Sequence, residues 1–287
     1  EIERRMQQLH DLCAGNYTAK SAFDMALYDI AAKAAGKPLY AYLGGQKKEL
    51  KTDITIGIGT PEEMSSLASE LVSQGANIIK IKLGKGYQQD IERVRQIREK
   101  VGDKIILRLD ANQGWDFDEA RTVLTEVAPY QIQFCEQPMR KHFDYLLPEL
   151  RKHSSVKIMA DESCFVDHDA KRLIRENACD YINIKLAKSG GIHEALKIHH
   201  SANEAGIPCM LGAMLESKLA ATANLHLACA CEGIEFIDQD SFLLGHLEDP
   251  VNGGAVYNGF RITMPDIPGI GAEPDPAFLA RCGKIVI

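Results

Sequence analysis

Four apolar runs in this chain each stop on an ionisable residue, and they stop at almost equal intervals. Ile105-Ile-Leu-Arg-Leu-Asp110, Ile132-Gln-Phe-Cys-Glu136, Val156-Lys-Ile-Met-Ala-Asp161 and Tyr181-Ile-Asn-Ile-Lys185 set Asp110, Glu136, Asp161 and Lys185 apart by 26, 25 and 24 residues. That interval is the length of one strand, one helix and two short loops. Buried strands that each deliver a polar group to their own carboxyl end at this period are the mark of a parallel sheet wound by helices.

The alternation runs well beyond these four segments. Thr52–Ile58 is β-branched and alternating, and Thr60-Pro-Glu-Glu63 then opens a helix with an N-cap, a proline at the first helical position and a capping box. Strands over 78–83, 105–110, 132–136, 156–160, 181–186, 208–213 and 234–238 follow, separated by helical segments, one of them opened by the capping box Asp116-x-x-Glu119. Eight strands in strict βα alternation favour a closed (β/α)8-type TIM barrel over an open doubly wound sheet. The open sheet calls for a Gly-rich phosphate turn after its first strand, and Gly57-Ile-Gly-Thr60 lacks the G-x-G-x-x-G pattern. The length of 287 residues suits one barrel of ~250 residues with additions at its ends.

Those ends read differently. A helix over 16–35, with Ala22, Ala26, Leu27, Ile30 and Ala31 on one stripe, comes before any strand, and Gly44-Gly45 followed by Lys47-Lys48-Glu49 marks a boundary. After 240 the period fails, and Gly253-Gly254, Pro265, Pro268, Gly269 and Pro274 punctuate short β-like pieces. The expected division is therefore 1–48, a barrel over 49–245, and a tail over 246–287 that returns to the amino-terminal helices.

Composition narrows the partners. A net charge of −7 argues against nucleic acid, and no window approaches the ~18 consecutive apolar residues of a membrane span. The eight cysteines lie mostly within apolar segments and form no C-x-x-C pair, as expected of reduced thiols in a cytoplasmic protein. A small-molecule substrate is the expected partner, with assembly into a homo-oligomer left open.

In a barrel, polar residues at strand carboxyl ends are where chemistry is placed. Lys80 and Lys82 are the only polar side chains in Ile78-Ile-Lys-Ile-Lys-Leu83, and at i and i+2 they share one face, which is the interior face if Ile79, Ile81 and Leu83 meet the helices. Adjacent like charges are expected to lower the amine pKa toward that of a base. Asp110, Glu136 and Asp161 end three successive strands, so they converge. Three carboxylates together call for a hard cation with oxygen ligands, and Mg²⁺, one per subunit, is the natural choice. Lys185 faces Lys82 across the barrel. Two amines on opposite sides of one carbon can remove a proton from one face and return one to the other, a pattern known for enolase-type sites. Asn112, Asn183 and Glu162 stand near these groups as supporting residues, Glu216 at the same rim joins Lys80 as an expected substrate-binding group, and Lys188 reads as a loop lysine.

The set Lys80-Ile-Lys82, Arg108-Leu-Asp-Ala-Asn-Gln-Gly-Trp115, Cys135-Glu-Gln-Pro138, Ala160-Asp-Glu-Ser163 and Asn183-Ile-Lys-Leu-Ala-Lys-Ser-Gly-Gly191 resembles the muconate-lactonizing-enzyme subgroup of the enolase superfamily over nearly the whole chain. The resemblance implies a modified (β/α)7β barrel with a capping domain built from both termini, of which residues 1–48 would be the helical part without its amino-terminal strands. It implies Lys82 and Lys185 as the acid/base pair and Asp110, Glu136 and Asp161 as the Mg²⁺ ligands. Phe236-Ile-Asp-Gln-Asp240 looks like the D-x-D of dipeptide epimerases, in which Asp238 and Asp240 would hold the substrate's α-ammonium. The implied activity is epimerisation of a dipeptide, of the L-Ala-D/L-Glu type, at the α-carbon of its second residue. An o-succinylbenzoate synthase, an N-acylamino-acid racemase or a cycloisomerase would use the same lysines without needing the two aspartates. A non-catalytic metabolite-binding barrel is the reading from a different class.

Overall fold

The computed structural model of the chain describes residues 1–245 and 247–284; of the tail predicted for 246–287, positions 246 and 285–287 lie outside the described residues. Eight parallel strands lie side by side in sequence order: β1 (Ile54–Ile56), β2 (Ile78–Lys82), β3 (Ile106–Asp110), β4 (Ile132–Glu136), β5 (Ile158–Ala160), β6 (Tyr181–Ile184), β7 (Cys209–Gly212) and β8 (Ile234–Asp238). Helices such as Pro61–Ser73, Tyr87–Val101 and Ile192–Glu204 fill the connections. The barrel predicted from the spacing is present, and both predicted capping boxes form: Thr60 with Glu63 and Asp116 with Glu119.

The strand pleat decides what faces inward. On β2, Ile79, Ile81 and Leu83 pack outward against the helices and are at most 1% exposed, which leaves Lys80 and Lys82 on the interior face. The interior is layered. At the amino-terminal end Phe134, Met159, Met210 and Phe236 form an apolar plug with Tyr181, the Phe134 and Phe236 rings 5.2 Å apart and Tyr181 and Phe236 4.9 Å apart. Arg108 lies over both phenylalanine rings, 5.3 and 5.1 Å from their centroids, and pairs with Asp53 at 2.7 Å. Above that layer the polar groups begin.

The seam between β8 and β1 is joined mainly by side chains. Asp53 N–H donates to Ile237 O at 3.3 Å, Gln239 N–H to the Thr52 hydroxyl at 2.9 Å, and Thr55 N–H to Asp240 Oδ2 at 2.6 Å. The first predicted strand, 52–58, is accordingly shortened to Ile54–Ile56, and a separate short strand precedes it. Leu50–Lys51 pairs with Arg261–Thr263 in a separate antiparallel sheet, and the chain turns at Thr52, whose N–H goes to Phe260 O, before β1 enters the barrel. Strand β5 starts two residues later than predicted because the Ser154 hydroxyl bonds both the N–H and the carbonyl of Val156.

Helices Ile2–Leu12, Tyr17–Ala34 and Leu39–Tyr42 precede the barrel. Tyr17–Ala34 docks on the barrel mouth: the Thr18 hydroxyl donates to Ala187 O at 3.2 Å, and the buried Asp24 carboxylate accepts the N–H groups of Ile192 and His193 at the start of the next helix. The tail lies against the same helices, with Leu39 N–H on Gly269 O at 2.8 Å and Ile270 N–H on Asp29 Oδ1 at 2.7 Å. His226, fully buried, ties these parts together by accepting Tyr40 N–H at Nδ1 (3.0 Å) and donating from Nε2 to Ile270 O (2.9 Å). His226→Ala leaves that donor and acceptor buried without partners, a loss of about 2–4 kcal/mol that urea denaturation would measure. Burial holds the His226 pKa down at about 4, below its ordinary 6.5. A lowered histidine binds its proton more readily unfolded, so its contribution is complete above pH ~6.5 and is lost as the pH falls toward 4. Urea midpoints taken across that window should fall in the wild type more than in a His226→Gln variant.

Candidate active site

The carboxyl ends of the strands surround a cavity of about 510 Å³. Around its rim the ring order of the strands sets up a cross. Lys82 ends β2 and Lys185 follows β6, four strands away; Glu136 ends β4 and Asp238 ends β8, again four strands away. Two amines therefore face each other along one diameter, and two carboxylates along the other.

Register brings the acidic groups level. Lys82 pairs with Asp110 and Asp110 with Glu136 as direct strand neighbours, and Asp161 follows β5 alongside. All three carboxylates are at most 2% exposed. Lysines hold them. Lys82 Nζ donates to Asp110 Oδ2 at 2.7 Å and to Asn112 Oδ1 at 2.9 Å; Lys80 Nζ lies 2.7 Å from Glu136 Oε2, 3.2 Å from Asp110 Oδ2 and 2.7 Å from Asp238 Oδ2; Lys185 Nζ meets Asp161 Oδ2 at 2.7 Å. Asn183 donates to Glu136 Oε1 at 2.7 Å. Glu136 Oε2, though buried and close to Lys80, receives no directed hydrogen bond.

Lys188 corrects the sequence reading. It is no loop lysine but part of the short helix Leu186–Ser189, and its buried ammonium donates to Asp161 Oδ1 and Asp161 O, both at 2.6 Å, and to Asn183 O at 2.9 Å. Lys80, placed among the substrate-binding groups, forms the cavity floor, and Glu162 lines the wall. Glu216 does not line the cavity: its carboxylate turns back on its own loop and accepts Met214 N–H at 3.2 Å. Asp238 and Asp240 both line the cavity, each with one oxygen fixed, Asp238 by Lys80 and Asp240 by Thr55 N–H.

Asp53 and Arg108 were not singled out from the sequence, and neither were Tyr17, Phe165 and Leu215 on the cavity wall. Asp53 matters because its carboxylate, with those of Asp238 and Asp240, forms a trio whose oxygens lie within 4.8 Å of one another. That trio is already served by Arg108, Lys80 and the Thr55 amide. The bulk of Gly212 is constrained as well. A Cβ there would stand 2.5 Å from Asn183 Oδ1 and 2.8 Å from Lys185 Cε. Gly212→Ala must push Lys185 off its line, and with such displacement costing up to ~10²-fold we expect kcat to fall about tenfold or more while the circular dichroism spectrum is unchanged.

Residues 63–278 match the family described as Enolase C-terminal domain-like, and residues 1–44 match the mandelate racemase / muconate lactonizing enzyme N-terminal domain. The chain belongs to the enolase superfamily. Within it, this chain is 45% identical over 275 residues to the D-Ala-D/L-Ala epimerase of Cytophaga hutchinsonii, covering 95% of this chain and 74% of that one. It is 44% identical to the L-Ala-D/L-Glu epimerase of Clostridium acetobutylicum, covering 95% of this chain and 76% of the relative. The crystal structure of the Cytophaga hutchinsonii dipeptide epimerase complexed with Mg and D-Ala-L-Val superposes with a TM-score of 0.95, at 43% identity and covering 98% of this chain and 76% of that one.

For this superfamily member the charges of the site differ from one expectation. Lys80, two residues from Lys82, was expected to have a lowered pKa. Burial does work against the charge of Lys185, but Asp161 and Glu136 outweigh it and hold its pKa above the usual range; Lys80 is raised likewise by Asp238, Glu136 and Asp110. Burial presses Asp161 upward, yet Lys188 and Lys185 hold it well below its usual value. Glu136 is the opposite case, pushed up to about 7 by burial and by the charge of Asp110.

Proposed function

We propose that this chain is a Mg²⁺-dependent dipeptide epimerase of the L-Ala-D/L-Glu type that inverts the α-carbon of the second residue by 1,1-proton transfer between two lysines. The crossed arrangement of Lys82 and Lys185 on one diameter and Glu136 and Asp238 on the other carries this reading. A carbon held at the crossing has an amine on each face. Its carboxylate lies toward the acidic end of β3–β5 and its nitrogen toward β8.

Asp110, Glu136 and Asp161 suit a hard divalent cation. They are buried carboxylates at neighbouring strand ends, and Glu136 Oε2 is short of a directed donor. These three residues would hold Mg²⁺, whose positive charge would stabilise the negative charge that develops next to the substrate carboxylate; with Asp161 and Glu136 engaged as ligands, Lys185 would be released toward the range of a usable base. The lysine that starts neutral accepts the α-proton, the opposite one, charged, delivers a proton to the other face, and the roles exchange for the other epimer. Asn112 steers Lys82 through its 2.9 Å hydrogen bond, and Asn183 fixes Glu136. Asp238 and Asp240 suit the α-ammonium of a dipeptide, a group that an N-acyl amino acid lacks. The eight free cysteines suit a reducing compartment such as the cytoplasm, and among the described residues no helix is long and apolar enough to cross a membrane.

The metal requirement is tested by dialysis against EDTA followed by chiral chromatography of L-Ala-L-Glu incubations. Epimerisation is expected to vanish and to return with added Mg²⁺. Full turnover of the metal-free protein would overturn the assignment of the three carboxylates.

A further inference from the structure

The cross also fixes where the second residue's side chain goes. When the α-carbon is deprotonated it is planar, and its three heavy substituents lie in a plane whose two faces look at Lys82 and Lys185. That plane contains the barrel axis and the line from β4 to β8. The carboxylate takes the β4 side and the nitrogen the β8 side, so the side chain points along the axis. Inward it would meet Lys80, which is 1% exposed, and below it Arg108 on its aromatic plug. Only the outward direction, through the mouth, is open.

The mouth is apolar. Tyr17 reaches it from the first docked helix and packs on Phe165, their centroids 5.9 Å apart; Met214 and Leu215 come from the loop after β7, and Leu244 from the segment after β8. Met214, Leu215 and Leu244 are 55%, 83% and 47% exposed, an unusual display of large apolar side chains above a ring of buried charges. Among the described residues no unengaged cation stands with them. Lys188 is occupied by Asp161 and Asn183, and Lys141 lies over the Phe165 ring at 4.8 Å without lining the cavity. A carboxylate or ammonium directed here loses water without finding a counter-charge, whereas an apolar side chain gains from the same burial.

From this we propose that the roof formed by Phe165, Met214, Leu215 and Leu244 is the subsite for the second side chain, and that among dipeptides the enzyme works best on those with an aliphatic or aromatic residue at that position. The proposal rests on the dipeptide reading given above and refines its L-Ala-D/L-Glu type: L-Ala-L-Glu is turned over, but more slowly than dipeptides with an apolar second residue. The test measures kcat/KM of the full chain with Mg²⁺ for L-Ala-L-Leu, L-Ala-L-Phe, L-Ala-L-Glu and L-Ala-L-Lys, and repeats it with Leu215→Arg. The apolar pair should exceed the charged pair by about tenfold or more, the discrimination an apolar pocket typically provides. Leu215→Arg should shift the Leu-to-Glu ratio toward glutamate by at least about fivefold. Turnover led by L-Ala-L-Glu or L-Ala-L-Lys, or a ratio unmoved by Leu215→Arg, overturns the subsite while leaving the dipeptide reading standing. No turnover of any dipeptide overturns both.

Discussion

Replacing Lys82 or Lys185 singly by alanine should reduce epimerisation by about 10³-fold or more, since each would remove one half of the proposed general acid–base pair, whose members contribute ~10²–10⁴-fold apiece. The two variants should fail differently. With Lys185→Ala, Lys82 still faces the carbon from β2, so solvent exchange of the α-hydrogen should persist for one epimer only; with Lys82→Ala it should persist for the other. Chiral analysis of recovered substrate for deuterium distinguishes them. Lys185→Ala carries a further consequence, because Asp161 Oδ2 loses its 2.7 Å partner and keeps only Lys188. Lys82 is the cleaner probe of chemistry, its side chain being 29% exposed. Turnover retained in either variant would refute the two-base assignment.

Removing charge from the aspartates of β8 should affect binding, with unequal side effects. Asp240→Asn keeps an oxygen able to accept Thr55 N–H, so the seam survives while one negative charge is withdrawn. The loss of the charge-assisted hydrogen bond proposed between Asp240 and the substrate ammonium, about 1.5–3 kcal/mol, corresponds to roughly 10- to 100-fold, expected chiefly in KM for dipeptides. Asp238→Asn cannot be so selective. Asp238 also neutralises the buried Lys80 at 2.7 Å, so its substitution disturbs the groups around Asp110 and Glu136 and should lower kcat as well as raise KM. An unchanged KM in Asp240→Asn would return that residue to its place as a staple between β1 and β8.

Much of this was legible because strand ends are local. An apolar run that stops on Asp110, Glu136, Asp161 or Lys185 reports its own burial and direction, and the period reports the barrel. The alternation of β2 likewise placed Lys80 and Lys82 inward. What was not legible depends on partners distant in sequence or, at Glu216, on a loop that turns back on itself. Lys188 follows Lys185 by three residues, and only the short helix Leu186–Ser189 turns its ammonium back under Asp161. Glu216 sits at the right rim in sequence, but its own loop folds its carboxylate onto Met214. Asp53 lies just before β1 and acquires meaning through Arg108, 55 residues away. The sense of the Lys80 pKa shift was misjudged for the same reason. Sequence shows the neighbouring lysine two residues away, whereas the nearest charges in space are carboxylates from other strands.

The central claim is that Lys82 and Lys185 exchange the α-hydrogen of a dipeptide's second residue. Its most direct test is to incubate the protein with Mg²⁺ in D₂O with a panel of dipeptides and, separately, of N-succinyl amino acids, and to read deuterium at each α-carbon by NMR. The account predicts deuterium at the second residue of dipeptides, in both epimers, with none at the first residue and little in the N-succinyl series. Exchange confined to N-succinyl amino acids would contradict it.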